Sequence, residues 1–327
     1  MRKLIQRAGG GAFLLIIVVT ILVIGGFLYA GRDIINYPWT ARTRVGASAA
    51  GATIYVFGGL HSDRGVVADV LAFDLESSRV SRLGDLPWTT IDAVVAASEG
   101  RLYVLGGYGS RGAYPDVVCL DPISRTLKSP DAMSPPRYFG GAASANGTIY
   151  YAGGWDGSVV RDEVLALTPD TGEAVVVARL PVPVRHCAVA CSGDRLYVLG
   201  GEDEDGEPQA LLVEIDLTSG EVRRTLEFPS PISRSAMVAS GEHLFVFGGW
   251  NRRPIDDIVR VSINRDALTS ERIGRLPAPC SDCTAFTIDE RILLVGGEPG
   301  QDGRELRISE FDPAAVAFHV YRFRGSI

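Results

Sequence analysis

One six-residue pattern recurs through this chain and restricts its fold more than any other feature. Ile54-Tyr55-Val56-Phe57-Gly58-Gly59 returns as Leu102-Tyr103-Val104-Leu105-Gly106-Gly107 and as Ile149-Tyr150-Tyr151-Ala152-Gly153-Gly154. It appears again as Leu196-Tyr197-Val198-Leu199-Gly200-Gly201, Leu244-Phe245-Val246-Phe247-Gly248-Gly249 and Ile292-Leu293-Leu294-Val295-Gly296-Gly297. The steps from one diglycine to the next are 48, 47, 47, 48 and 48 residues. A period so regular is the signature of a repeat array, whose units share one core and count as one domain.

Each unit has the same internal order. A run of small residues such as Gly46-Ala47-Ser48-Ala49-Ala50 leads through a tight turn (Glu99-Gly100, Asn146-Gly147) into the apolar strand that ends in Gly-Gly. A polar loop of variable length follows, then a third strand such as Leu212-Val213-Glu214-Ile215-Asp216, and a fourth that closes at Leu86-Pro87, Leu180-Pro181 or Leu276-Pro277. Four short strands bounded by turn residues make an antiparallel sheet. One such sheet cannot bury both faces, but six packed face to face around an axis can. The expected fold is therefore all-β, a six-bladed β-propeller over 41–327. The small residues of the first strand place it innermost, where strands converge.

These units resemble kelch repeats. The resemblance is carried by the six strands ending in Gly-Gly and by the acidic residue that closes the third strand (Asp74, Asp121, Asp216, Asp312). It covers about 41–325. The chain departs from the family at the fourth strand, where kelch repeats usually carry Trp and this chain has Val80, Leu127 and Val222. No Trp-Asp ending marks the units as WD40.

Ahead of the repeats, no charge occurs between Ala8 and Gly31. As a helix this run reaches roughly 36 Å, enough to cross a hydrocarbon core of about 30 Å. Its length, and the large Leu28 in Leu28-Tyr29-Ala30, favour an uncleaved signal anchor over a cleaved signal peptide. The expected organisation is a short basic tail (1–10), one transmembrane helix (11–31), a tether (32–40) and the propeller. Arg2, Lys3 and Arg7 hold the N-terminus in the cytoplasm by the positive-inside rule, so the propeller is expected outside it, in the periplasm or at the surface of a bacterial cell. The net charge of -7 argues against a nucleic-acid partner.

Alternate loops of an up-and-down sheet share a face. The loops after Gly-Gly and the links between units therefore open together where the innermost strands begin. Counting 14 residues back from the first Gly of each pair reaches Arg44, Asp92, Phe139, His186, Arg234 and Asp282. A slip of one or two residues in units three and four substitutes Arg137 and Arg185, giving a near-axial ring of four Arg and two Asp. Asp92 and Asp282 then flank Arg44, and Arg137, Arg185 and Arg234 form an arc suited to a carboxylate. The competing expectation is a structural ladder between blades. Trp155 and Trp250, with Tyr108, His61, Arg64, Arg252 and Arg253, make the post-diglycine loops a second candidate surface, of the kind that anchors a protein partner or a sugar.

The acidic run Glu202-Asp203-Glu204-Asp205-Gly206-Glu207 lacks the spacing of a calcium loop and reads as solvated. Cys187 and Cys191 are too far apart on one strand to pair, whereas Cys280 and Cys283 meet only if the chain turns between them. No metal site or cofactor is expected, and no catalytic motif is present. The reading is an extracytoplasmic binding or protein-interaction module. Two alternatives stand beside it: a structural subunit of an envelope complex, and an isomerase. Some exported bacterial kelch propellers are sugar-acid isomerases or mutarotases acting on sialic acid, and this chain resembles them in blade number and axial Arg. That resemblance implies a carboxylated carbohydrate held by Arg137, Arg185 and Arg234, with Asp92 or Asp282 as the acid/base.

Overall fold

In the computed structural model, the described residues are 42–325, except 111, 115, 130–131, 169, 265–266, 300–305 and 322–323. Six sheets follow one another along them, each with four antiparallel strands and the first with a short fifth strand added at its edge. Blade one is Gly46–Ala50, Thr53–Phe57, Asp69–Asp74 and Arg79–Asp85, in that spatial order. Blade four is Ala188–Ser192, Arg195–Leu199, Leu211–Asp216 and Val222–Glu227, in the same arrangement. Blade six opens with two long strands, Cys280–Ile288 and Arg291–Pro299. The innermost strands neighbour one another in sequence order, and that of blade six returns to that of blade one, so the ring is closed.

The predicted anchor (11–31), its basic tail and the tether lie outside the described residues. Among the described residues, no helix is long and apolar enough to cross a membrane.

The core lies between blades. Each cluster of buried apolar side chains joins two adjacent sheets. Ile54, Val56 and Phe73 of blade one meet Leu293, Val295 and Ile308 of blade six. Phe245, Phe247 and Ile258 of blade five meet Ile292, Leu294 and Phe311. Corresponding clusters fill the other four interfaces. Burying one such Val, Leu, Ile or Phe side chain contributes roughly 1.5–3 kcal/mol, so the stability of each blade resides largely in its neighbours.

The diglycines work at the same interfaces. Gly58 has φ of 60°, and a Cβ there would lie 2.4 Å from the Thr90 carbonyl oxygen of the next blade. With that space clear, Gly59 N–H donates to Thr90 O at 2.7 Å. The same bond joins Gly154 to Val184, Gly201 to Ile232 and Gly249 to Cys280. In these four blades the Gly-Gly is thus a backbone cross-link to the entry of the next.

The ring also has a fastening that the sequence pattern does not announce. Arg324–Gly325 pairs in parallel with Arg79–Val80, the outer strand of blade one. Chain from beyond blade six therefore covers the edge of the first sheet. Residues 33–37, the other segment considered for that edge, lie outside the described residues.

Candidate functional site

The six residues found by counting back 14 share one backbone conformation. Arg44, Asp92, Phe139, His186, Arg234 and Asp282 have φ between 52 and 58°. They are non-glycine residues in the left-handed region, which a fold sustains only where its surroundings over-determine it. Part of the reason is on the backbone. Asp92 N–H donates to Arg44 O at 3.2 Å, Arg234 N–H to His186 O at 2.9 Å, and Asp282 N–H to Arg234 O at 3.0 Å. His186 N–H donates likewise to Phe139 O. These four bonds run from blade to blade, joining Arg44 to Asp92 and linking Phe139, His186, Arg234 and Asp282 in one run. All six residues are partly exposed, but the Asp92 and Asp282 side chains are nearly buried.

A second annulus lies against the first. The residue before each ring position pairs with the residue after each diglycine: Ile91 with Tyr108, Tyr138 with Trp155, Arg185 with Glu202, and Ser233 with Trp250. The post-diglycine loops and the ring therefore share one face. Tyr108 is exposed there, Trp155 and Trp250 are half-buried, and Trp155 packs 6.0 Å from Tyr138.

The ring is not the four-Arg arrangement. Phe139 and His186 hold the positions in blades three and four. Arg137 comes two residues before the ring, at the place Arg42 takes in blade one, and both side chains are fully buried. Arg42 donates to Gly58 O at 3.1 Å and to Asp69 at 3.1 Å. Arg137 pairs with Glu163 and donates to Pro136 O at 2.8 Å. These arginines brace the blade and contact no opening. Arg185 is one residue short of the ring, and a one-residue shift turns a side chain to another face. It approaches Glu202 at 3.6 Å instead. Arg44, Arg234, Asp92 and Asp282 are where the count puts them.

Charge gathers on one side of the ring. Arg44 grips Asp92 bidentately through one guanidinium edge, its Nε donating to Oδ1 at 2.9 Å and its Nη2 to Oδ2. Arg234 Nε donates to Glu202 at 2.8 Å, and Arg234 also lies 3.5 Å from Asp282. Glu202 is buried, so the first residue of the acidic run belongs to the site rather than to solvent. Burial, and then the neighbouring Asp92, pushes the Asp282 carboxyl up to about 6, against the pull of Arg234.

The other side is aromatic. Phe139 stacks on His186 at 5.0 Å and meets Tyr108 at 6.0 Å. Burial, and then the charges of Arg234, Arg185 and Arg44, pushes the imidazole well below its ordinary value, so His186 is neutral at pH 7. Further along the innermost strands, small side chains such as Ala49, Ala97, Ala143 and Ala239 line an axial cavity of about 230 Å³. Among the described residues, no His, Cys, Asp and Glu group is arranged to hold a metal ion.

Comparison with known proteins agrees with this architecture. Residues 36–174 match the KLHDC2/KLHL20/DRC7 Kelch-repeats domain. The first three blades, which lie largely in that span, are thus similar to kelch repeats. Kelch-like protein 35 of Mus musculus is 33% identical over 153 residues, which are 46% of this chain and 25% of that protein. Alpha-scruin of Limulus polyphemus is 25% identical over 176 residues, 49% of this chain and 19% of that protein. The kelch similarity thus spans a quarter or less of these relatives' length. The solved structure of YjhT superposes with a TM-score of 0.71, covering 85% of this chain and 97% of that one at 17% identity, a likeness of fold.

Proposed function

We propose that this kelch propeller is a binding module that engages a protein partner through its loop face, held outside the cytoplasm by the N-terminal anchor. The observation that carries this reading is the internal matching of charge. Arg44 is paired with Asp92, Arg234 with Glu202 and Asp282, and Arg137 with Glu163. These guanidiniums are already occupied, whereas the groups that project around them are Tyr108, Trp155, Trp250 and the exposed Arg252. Aromatic and Arg anchors on variable loops over a rigid scaffold are the residue types that dominate protein interfaces. The kelch similarity to Kelch-like protein 35 supports the same reading. A combined Tyr108→Ala, Trp155→Ala and Trp250→Ala variant should lose the proteins that cross-link to the wild-type chain in its own cells. Unchanged recovery would defeat the proposal.

A second reading, conversion of a carboxylated sugar at the axis, is favoured by one feature. Asp282 has a carboxyl pushed up to about 6 and stands across the ring from an aromatic stack. Such a group exchanges protons near neutrality. If the chain accelerates anomer exchange of sialic acid by NMR, and Asp282→Asn abolishes the acceleration while the aromatic variant keeps its partners, this reading replaces the first.

A further inference from the structure

The geometry points to a redox site in blade six. We propose that Cys280 and Cys283 are a solvent-reachable dithiol, closed to a disulfide by a small disulfide oxidant, in the strand that carries Asp282.

The repeat itself brings the two sulfurs together. In five of the blades the residues two before and one after the ring position converge on the second glycine of the pair. A Cβ on Gly201 would lie 2.9 Å from Val184 Cβ and 3.1 Å from Cys187 Cβ. On Gly249 it would meet Ile232 and Ser235 at 2.9 and 3.0 Å, and on Gly107 it would meet Thr90 and Ala93. In blade six these same two positions are Cys280 and Cys283, and a Cβ on Gly297 would meet Cys280 Sγ at 2.0 Å and Cys283 Cβ at 3.2 Å. The left-handed residue between them, Asp282, supplies the turn that an extended strand lacks. The Cys280 sulfur therefore lies beside the Cys283 side chain, while each thiol donates to a backbone carbonyl, Cys280 to Ser281 O at 3.7 Å and Cys283 to Phe247 O at 4.0 Å.

Access is also built in. A cavity of about 170 Å³ is lined by Pro277, Pro279, Cys280, Cys283, Gly297 and Phe318, among others. Cys280 is partly exposed and Cys283 is buried. The neighbouring Cys280 thiol, and then burial, raises Cys283 well above the ordinary thiol range, so Cys283 keeps its proton longer. This sets the order of events. Cys280 thiolate attacks one sulfur of an oxidant R–S–S–R, forming Cys280–S–S–R and releasing RS⁻. Cys283 then gives up its proton and attacks the Cys280 sulfur, expelling the second RS⁻. Two protein thiols are oxidised, one disulfide is reduced, and the two thiol protons end on two RSH. The flanks are anchored during this step, because Cys280 N–H donates to Ile255 O and Cys280 O accepts from Gly249 N–H. The new bond brackets Asp282 within the ring.

The test is to treat the full chain with oxidised glutathione, quench in acid, unfold, alkylate with N-ethylmaleimide and map the peptides. Five cysteines are present, so the reduced chain takes five maleimides and the oxidised chain should take three, with the cross-link on the Cys280–Cys283 peptide. Cys283→Ser should stop at a glutathione mixed disulfide on Cys280, and dithiothreitol should reverse both products. Five maleimides on the treated wild-type chain, or a cross-link joining any other pair, would overturn the proposal. The wild-type arm decides this even if a variant fails to fold.

Discussion

The two sides of the axial ring have the same backbone and opposite chemistry. Six residues adopt one left-handed conformation, yet Asp282, Arg44, Asp92 and Arg234 make a side of paired charges, while Phe139 and His186, with Tyr108 over them, make an aromatic one. The two sides also answer pH with opposite signs. Asp282 is harder to ionise in the fold than in the unfolded chain, so its contribution is fully present below 3.8 and is lost as pH rises through about 6. His186 is harder to protonate in the fold, so stability holds above 6.5 and falls as pH drops below it. The difference teaches that the repeat dictates where a side chain stands and leaves open what it is. Residue type at this position is therefore what makes one side of the ring differ from the other.

Removing the cation that the charged side shares should have the largest effect. Arg234→Ala leaves Glu202 and Asp282 without their main partner, and a loss of about 3 kcal/mol is expected in chemical denaturation, the lower end for breaking a buried pair. A change below about 0.5 kcal/mol would mean that this side is solvated like a surface. Next, Asp282→Asn should stabilise the fold by about 2 kcal/mol at pH 8, with the gain fading below pH 4. A gain independent of pH would remove the contrast between the sides. The smallest effect belongs to His186→Phe, which keeps the stack on Phe139. It should flatten the acid side of the stability profile, by about 1 kcal/mol near pH 5.5, and leave pH 8 unchanged.

The fold was legible because the diglycine period is long-range information written locally. Each Gly-Gly marks a close approach that a side chain would obstruct, and at four of the six two blades share a backbone bond there. Much of the site was legible for the same reason, since counting from those glycines lands on the ring. Reading Arg137 and Arg185 into it failed because residue type was preferred over register. Arg137 belongs to the buried layer with Arg42, a role visible only once Glu163 and Asp69 are seen beside them. Glu202 was hidden by its neighbours. An acidic run looks solvated as a whole, yet its first residue sits where Trp155 and Trp250 sit in their blades, against the ring. The strand at 324–325 carries no pattern, because a two-residue parallel pairing uses backbone groups alone.

That last pairing bears on how the protein is made. Blade one leaves the ribosome first, but the strand that covers its edge is encoded after blade six. Until then the nascent chain presents an unpaired strand and half of the blade-one core, whose other half belongs to blade six. Synthesis therefore runs ahead of completion, and the first of the sheets to be translated is the last to be finished, its edge and half of its core left uncovered for most of elongation.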